Sequence, residues 1–119
     1  MGNNESKRLS VVRSLIEVTK PLSEIADDLT AFEWDYEGEG VELTRHSVAN
    51  ILKRFMSGKL SVNDVERWAN LVESREDIFI IPDDEEKVSE AIYELANPSL
   101  AQPLNQKTAD QLLQKLETR

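Results

Sequence analysis

The stretch 44–72, TRHSVANILKRFMSGKLSVNDVERWANLV, predicts two amphipathic helices joined by a short turn. Thr44 and Ser61 are of the types that cap helix N-termini, and Gly58 is of the type that ends a helix in the left-handed conformation. Apolar residues recur in each half at the spacing of one helix face. They are Val48, Ile51, Leu52 and Phe55, followed by Val65, Trp68, Ala69 and Val72. Because only four or five residues join the two helices, we expect an antiparallel hairpin.

Apolar residues at helical spacing also flank this hairpin on both sides. Upstream they predict a helix over 9–19 and a second helix over 22–29. Pro21 can start the second helix, because the first turn does not need the N–H that proline lacks. Downstream they predict a helix that Asp83 or Asp84 can cap.

The remaining segments complete the expected fold. Residues 77–82, DIFIIP, are a short apolar run that we expect to be extended. Residues 98–107 contain two prolines and are expected to link to a last helix, which Thr108 can cap. Five or six short amphipathic helices predict an all-α, single-domain bundle over residues 9–119. Residues 1–8 are polar and are expected to be disordered.

The composition excludes several classes of function. The 119 residues are 39% hydrophobic, which is enough for a packed core, and the absence of Cys excludes disulfides, Cys-ligated zinc and a Cys nucleophile. No apolar run approaches the roughly 20 residues that span a bilayer, so we expect a cytoplasmic protein with no membrane partner. The net charge of -9 is concentrated in residues 21–43 and 61–97, on either side of a basic segment at 44–60. Such a surface repels nucleic acid and anionic lipid and attracts basic proteins.

Two acidic stretches are candidate surfaces for a basic protein partner. In the loop before Thr44, carboxylates alternate with Trp34 and Tyr36, and aromatic residues of this kind often dominate binding energy at interfaces. The candidate residues of this loop are Glu33, Trp34, Asp35, Tyr36, Glu37, Glu39 and Glu42. The second candidate surface is the face from Asp83 to Glu94 of the predicted helix after residue 82, and its candidate residues are Asp83, Asp84, Glu86 and Glu90.

Few residues are candidates for catalysis or for binding a metal ion. The alternating carboxylates of 35–39, followed by Gly40, have the spacing of the first EF-hand positions, but His46 stands where that loop needs its final Glu. In a third interpretation, a small enzyme or metal protein, the loop carboxylates would reach His46, but nothing in the spacing requires it. We therefore expect a protein that is not an enzyme, with no catalytic residue, cofactor or metal.

The main alternative is a DNA-binding regulator. Residues 22–29 are similar to the first helix of a helix-turn-helix, and residues 45–55 are similar to a recognition helix with Arg and His at its start. The motif uses a connection of three or four residues, whereas here the connection runs from Thr30 to Leu43. Its carboxylates would also oppose the release of counterions that drives DNA binding. We therefore expect no nucleic-acid partner.

Residues 29–104 resemble a group of small acidic bacterial proteins. The segments that carry the likeness are 32–35 (FEWD), 43–46 (LTRH), 57–61 (SGKLS), 64–70 (DVERWAN), 75–78 (REDI), 94–98 (ELANP) and 103–104 (PL). The segment 64–70 is the most specific of them. The group is similar to immunity proteins of contact-dependent growth inhibition and related toxin systems. The resemblance implies a non-enzymatic inhibitor whose partner is a basic toxin domain, and it brings no catalytic motif with it.

Overall fold

The computed structural model describes residues 2–32, 38, 40–73 and 75–117, and these contain six helices and one pair of short strands. The helices are α1 (Gly2–Glu17), α2 (Leu22–Leu29), α3 (Arg45–Met56), α4 (Val62–Glu73), α5 (Pro82–Ala96) and α6 (Gln106–Glu117). The strands β1 (Val41–Glu42) and β2 (Ile78–Phe79) are parallel, with Val41 opposite Ile78. The prediction of a small all-α fold is confirmed.

The signals that bound the central hairpin act as predicted. Thr44 begins α3 with a reciprocal pair of bonds: its Oγ1 accepts the Ser47 N–H at 3.0 Å, and its own N–H donates to Ser47 Oγ at 3.3 Å. Ser61 begins α4 in the same way with Asp64, at 3.1 and 2.9 Å. Gly58 has a φ of 86°, which is the left-handed conformation that ends a helix.

The N-terminus differs from the prediction. Helix α1 begins at Gly2, so the segment from Gly2 to Arg8, which we predicted to be disordered, is helical. A tertiary contact supplies a physical reason, because the Arg8 side chain reaches a buried carboxylate of Asp77 at 2.8 Å. The prediction of disorder rested on the polar sequence of this segment. It missed the ion pair, because a contact between residues so far apart in the chain leaves no trace in the sequence pattern.

Two predicted caps are wrong by a few residues. Helix α5 begins at Pro82 with Ile81 as its N-cap, so Asp83 and Asp84 lie in the first turn. Helix α6 is capped by Asn105, whose Oδ1 accepts the Thr108 N–H at 2.9 Å. Thr108 Oγ1 in turn accepts the Asn105 N–H at 2.9 Å, so it is the partner three residues inside the helix. Both members of such a pair are cap-forming residue types, which is why the sequence pattern does not tell them apart.

The core lies around α3, which packs most extensively on α6 and also touches α5, α4 and α1. Helix α4 packs on α5, and α2 packs mainly on α1. Trp68 of α4 is fully buried, and its indole N–H donates to the Leu15 carbonyl of α1 at 2.8 Å. This bond satisfies the only polar atom of a large apolar side chain, so Trp68 joins the first helix to the hairpin.

An arginine holds the C-terminus of α1. Val18 has a φ of 49°, and its N–H and that of Thr19 bond back to carbonyls of the last turns of the helix. Glycine is the usual residue at this left-handed position, and a β-branched side chain there is strained. The Arg54 guanidinium donates to the carbonyls of Glu17 at 2.8 Å and Val18 at 3.1 Å, so a cation of the basic segment 44–60 supports this turn.

Candidate functional site

A buried carboxylate lies between two arginines beside the strands. Asp77 is fully buried, and its Oδ2 accepts bonds from Arg8 Nε at 2.8 Å and Arg75 Nη2 at 2.9 Å, while Oδ1 accepts Arg75 Nε at 2.9 Å. We call Arg8, Arg75 and Asp77 the ionic junction. Both arginine side chains are also largely buried, at 12% and 6% exposure. Because a buried charge is tolerated only when it is paired, these three side chains depend on one another.

Burial by itself would raise the pKa of Asp77, because it disfavours the charged form. The hydrogen bonds from Arg75 and Arg8, together with their positive charges, outweigh this effect and hold the pKa below the ordinary value of 3.8. Asp77 is therefore ionised at neutral pH and balances the charge of the two arginines.

The ionic junction also holds one end of the predicted acidic loop. The Val41 N–H donates to the Asp77 carbonyl at 2.8 Å. At the preceding position, a Cβ on Gly40 would lie 2.4 Å from the same carbonyl oxygen, so only glycine allows this approach without a shift of the backbone. Glu42 follows on β1 and is exposed. The other candidate residues of this loop, Glu33, Trp34, Asp35, Tyr36, Glu37 and Glu39, lie outside the described residues.

Asp84 differs from the other candidates of the second stretch. It is 9% exposed, and its Oδ1 lies 2.9 Å from Arg45 Nε at the start of α3. Arg45 Nη1 also donates to the Leu116 carbonyl at the end of α6, at 3.3 Å. This pair joins α3, α5 and α6, and the Asp84 carboxylate is already used within the chain.

The outer surface of α5 carries the remaining carboxylates. Asp83, Glu86 and Glu90 are exposed, and Glu94 continues the row that Glu86 and Glu90 begin at four-residue steps. A helix turns 100° per residue, so these four side chains lie within about 80° of one another, and we call them the acidic face. Tyr93 lies beside them and is 49% exposed. Glu94 ends the face predicted from the sequence but was not singled out as a candidate residue, although its four-residue spacing from Glu90 was a signal for it.

A groove runs between α5 and α6. Helix α6 packs mostly on α3 and only lightly on α5, which leaves an open space of about 660 Å³ between the two helices. Glu86, Glu90 and Glu94 line the α5 wall, Leu112 and Leu116 lie at the α6 side, and Lys115 stands on the α6 wall. The groove therefore carries a row of carboxylates beside two leucines that are almost fully buried, at 7% and 2% exposure.

His46 lies in a shallow hollow of about 380 Å³ at the start of α3 and is exposed. The two carboxylates of this hollow are paired with other side chains, Asp84 with Arg45 at 2.9 Å and Glu117 with Lys53 at 3.3 Å. Nor do the described residues contain any cluster of three or more His, Asp or Glu side chains that could hold a metal ion. The loop carboxylates that would reach His46 in the enzyme interpretation are outside the described part of the chain.

The two segments of the DNA-binding alternative pack mainly on different helices. Helix α2 packs mainly on α1, whereas α3 is the central helix and packs mainly on α6. Arg45, which would read a base from the start of a recognition helix, is bonded to Asp84 and to the end of α6. The motif needs its two helices in contact and the start of the second one open to the major groove.

Comparison with protein-family models, with curated proteins and with solved structures finds no match for this chain. The resemblance to immunity proteins therefore remains a prediction. In the described part of the chain, no helix is both long and apolar enough to cross a lipid bilayer.

Proposed function

We propose that this protein is an acidic inhibitor that binds a basic protein partner, and that its role is to neutralise a cognate bacterial toxin. The observation that carries the proposal is the division of charge between the inside and the outside of the molecule. Four arginines, Arg8, Arg45, Arg54 and Arg75, bond to buried carboxylates or to helix-end carbonyls. The acidic face, in contrast, is exposed at Asp83, Glu86 and Glu90, with Lys87 and Lys115 lining the same groove.

This division favours binding over catalysis. An exposed row of carboxylates on a rigid helix creates a negative potential that speeds the encounter with a basic surface. A toxin that acts on nucleic acid must itself be basic where it holds phosphates, so an acidic inhibitor can cover that surface by charge and shape. Tyr93, half-exposed beside the acidic face, is the kind of side chain that strengthens such contacts once the partner has docked.

The decisive experiment is co-expression with the product of the neighbouring reading frame. We expect that product to be basic, to stop growth when expressed alone, and to be tolerated when this chain is present. A purified complex should form quickly at low salt and more slowly as salt rises, because the attraction is screened. Unchanged toxicity in the presence of this chain would remove the proposal.

Two sets of charge-neutral variants identify the surface that is used. E37Q/E39Q/E42Q alters the loop, and D83N/E86Q/E90Q makes the same change in net charge on the acidic face. The set that slows association at low salt marks the docking surface, because steering depends on the position of the charges. If duplex DNA bound to the chain instead, with an affinity that fell steeply as salt rose, the regulator alternative would replace the toxin inhibitor.

A further inference from the structure

The two walls of the groove between α5 and α6 differ in charge. The α5 wall carries carboxylates at residues 86, 90 and 94, each about one helical turn from the next. This row extends over about 12 Å, since a helix rises 1.5 Å per residue. We propose that the groove receives a cationic amphipathic helix of the partner, with lysines or arginines four residues apart facing α5. This inference rests on the proposed function, because it specifies how the partner docks.

The apolar component of the groove favours a folded segment over a simple cation. Leu112 and Leu116 lie one turn apart at the base of the groove, but they belong to the core at 7% and 2% exposure, so the exposed apolar surface lies beyond them. The groove continues past Glu94 and Leu112 into a smaller hollow bordered by Val62, which is 42% exposed. A helix with leucines on one face and cations on the adjacent face would cover the apolar surface, and at the same time its cations would pair with the carboxylates of α5. Helices commonly dock into grooves in this way, through anchors at three- and four-residue spacing.

Charge decides against the other possible occupants. A second copy of this chain also carries a net charge of -9, and its surface would be repelled by the same carboxylates. Nucleic acid and anionic lipid are repelled for the same reason. Two lysines lie in the groove, but Lys87 takes part in an interaction within the chain, and Lys115 stands on the opposite wall from the carboxylates. The cationic row of the occupant therefore belongs against α5.

The test uses the full chain and a designed probe. The probe is a peptide of about 15 residues, long enough to form a helix, with leucines along one face and three lysines at four-residue spacing beside them. A peptide of the same composition in scrambled order is its control. We expect the ordered peptide to shift amide NMR signals of α5 and α6 and to bind about tenfold more tightly than the scrambled one, because only the ordered peptide presents both faces at once.

Matched variants distinguish binding in the groove from a general effect of net charge. E86Q/E90Q/E94Q is expected to weaken the ordered peptide about tenfold, whereas E17Q/E24Q/D27N, which makes the same change in net charge on α1 and α2, should change its affinity less than about twofold. K115E should tighten binding, because it removes the cation from the opposite wall. Equal weakening by the two triple variants, or NMR shifts spread over the whole surface, would contradict the proposal that the peptide binds in the groove.

The failure of this inference can be distinguished from failure of the proposed function. If the basic product of the neighbouring frame is neutralised but E86Q/E90Q/E94Q leaves its association unchanged, the inhibitor stands and the groove is wrong. If that product is not bound at all, the proposed function fails, whatever the peptide does.

Discussion

Asp77 and Glu90 both belong to the acidic segment 61–97, yet the first is buried and paired whereas the second is exposed. In the ionic junction, Asp77 is fully buried and two arginines neutralise it, so that α1, β1 and β2 are tied together. On the acidic face, Glu90 is exposed on a helix whose opposite side forms the core. The comparison shows that net charge alone does not identify a binding surface. Only the carboxylates without an internal arginine remain for a partner.

Removal of the charge of Asp77 should have the largest effect on stability. D77N leaves two largely buried guanidinium groups without their counter-ion, and we expect a loss of about 3–5 kcal/mol in the free energy of unfolding. Urea denaturation followed by circular dichroism measures this loss. D28N is the matched control, because Asp28 pairs with Lys20 at the surface, and its midpoint should stay close to that of the wild type. Similar losses for the two variants would mean that burial of the pair does not matter.

The pH dependence of stability should reveal the same charge. The pKa of Asp77 is lowered on folding, so its stabilising effect is complete above the unfolded value of 3.8 and is lost as the pH falls through the lower folded value. The stability difference between wild type and D77N should therefore be constant from pH 7 to about pH 5 and shrink only in stronger acid. Urea midpoints of both proteins at a series of pH values measure it. A difference that already shrinks between pH 7 and pH 5 would contradict the lowered pKa.

The glycine beside the ionic junction should be more sensitive than the glycine in the hairpin. G40A places a Cβ against the Asp77 carbonyl, and the required backbone shift should cost about 1–3 kcal/mol in unfolding free energy. G58A meets no atom within 4 Å, so its cost is only the left-handed φ, about 1 kcal/mol. Thermal unfolding of the two variants gives the order. If G58A were the more damaging, the close approach at Gly40 would not constrain the fold.

The acidic face should have the smallest effect on stability. In E86Q/E90Q/E94Q, loss of repulsion along the row and loss of attraction to Lys87 oppose each other, and exposed substitutions usually change the free energy of unfolding by less than about 0.5 kcal/mol. Urea denaturation of this triple variant and of D77N under the same conditions compares their losses in unfolding free energy. A loss of about 2 kcal/mol or more would show that these carboxylates are structural, and the comparison between the two regions would no longer hold.

Much of the fold could be predicted from local signals. Thr44, Ser61 and Gly58 act as predicted, because a capping bond or a left-handed glycine involves residues only three or four positions apart. The all-α class could likewise be predicted, because the apolar spacing of each helix is a local pattern. The segment 77–82, predicted to be extended, contains β2 at Ile78–Phe79, but its last residue, Pro82, begins α5. The partner strand β1 was predicted to be loop, because pairing of distant strands depends on the tertiary fold.

The candidate site could be predicted only in part. Asp83, Glu86 and Glu90 were identified from the sequence and are exposed, and their use as a binding surface stays a prediction. Asp84, from the same run of four acidic residues, turned out to be paired with Arg45 of a distant helix. A sequence pattern gives the side of a helix on which a residue lies, but it does not give the distant arginine that will meet it.

By itself, therefore, the sequence determined the helices, the caps of α3 and α4 and the excess of negative charge, because each of these depends on neighbouring residues or on composition. The tertiary structure alone decided which carboxylates are neutralised inside and which remain outside. It also opened the groove between α5 and α6, because α6 packs on α3 and leaves the wall of α5 uncovered. The physical reason is that pairing and packing depend on distances between residues far apart in the chain, which only folding sets.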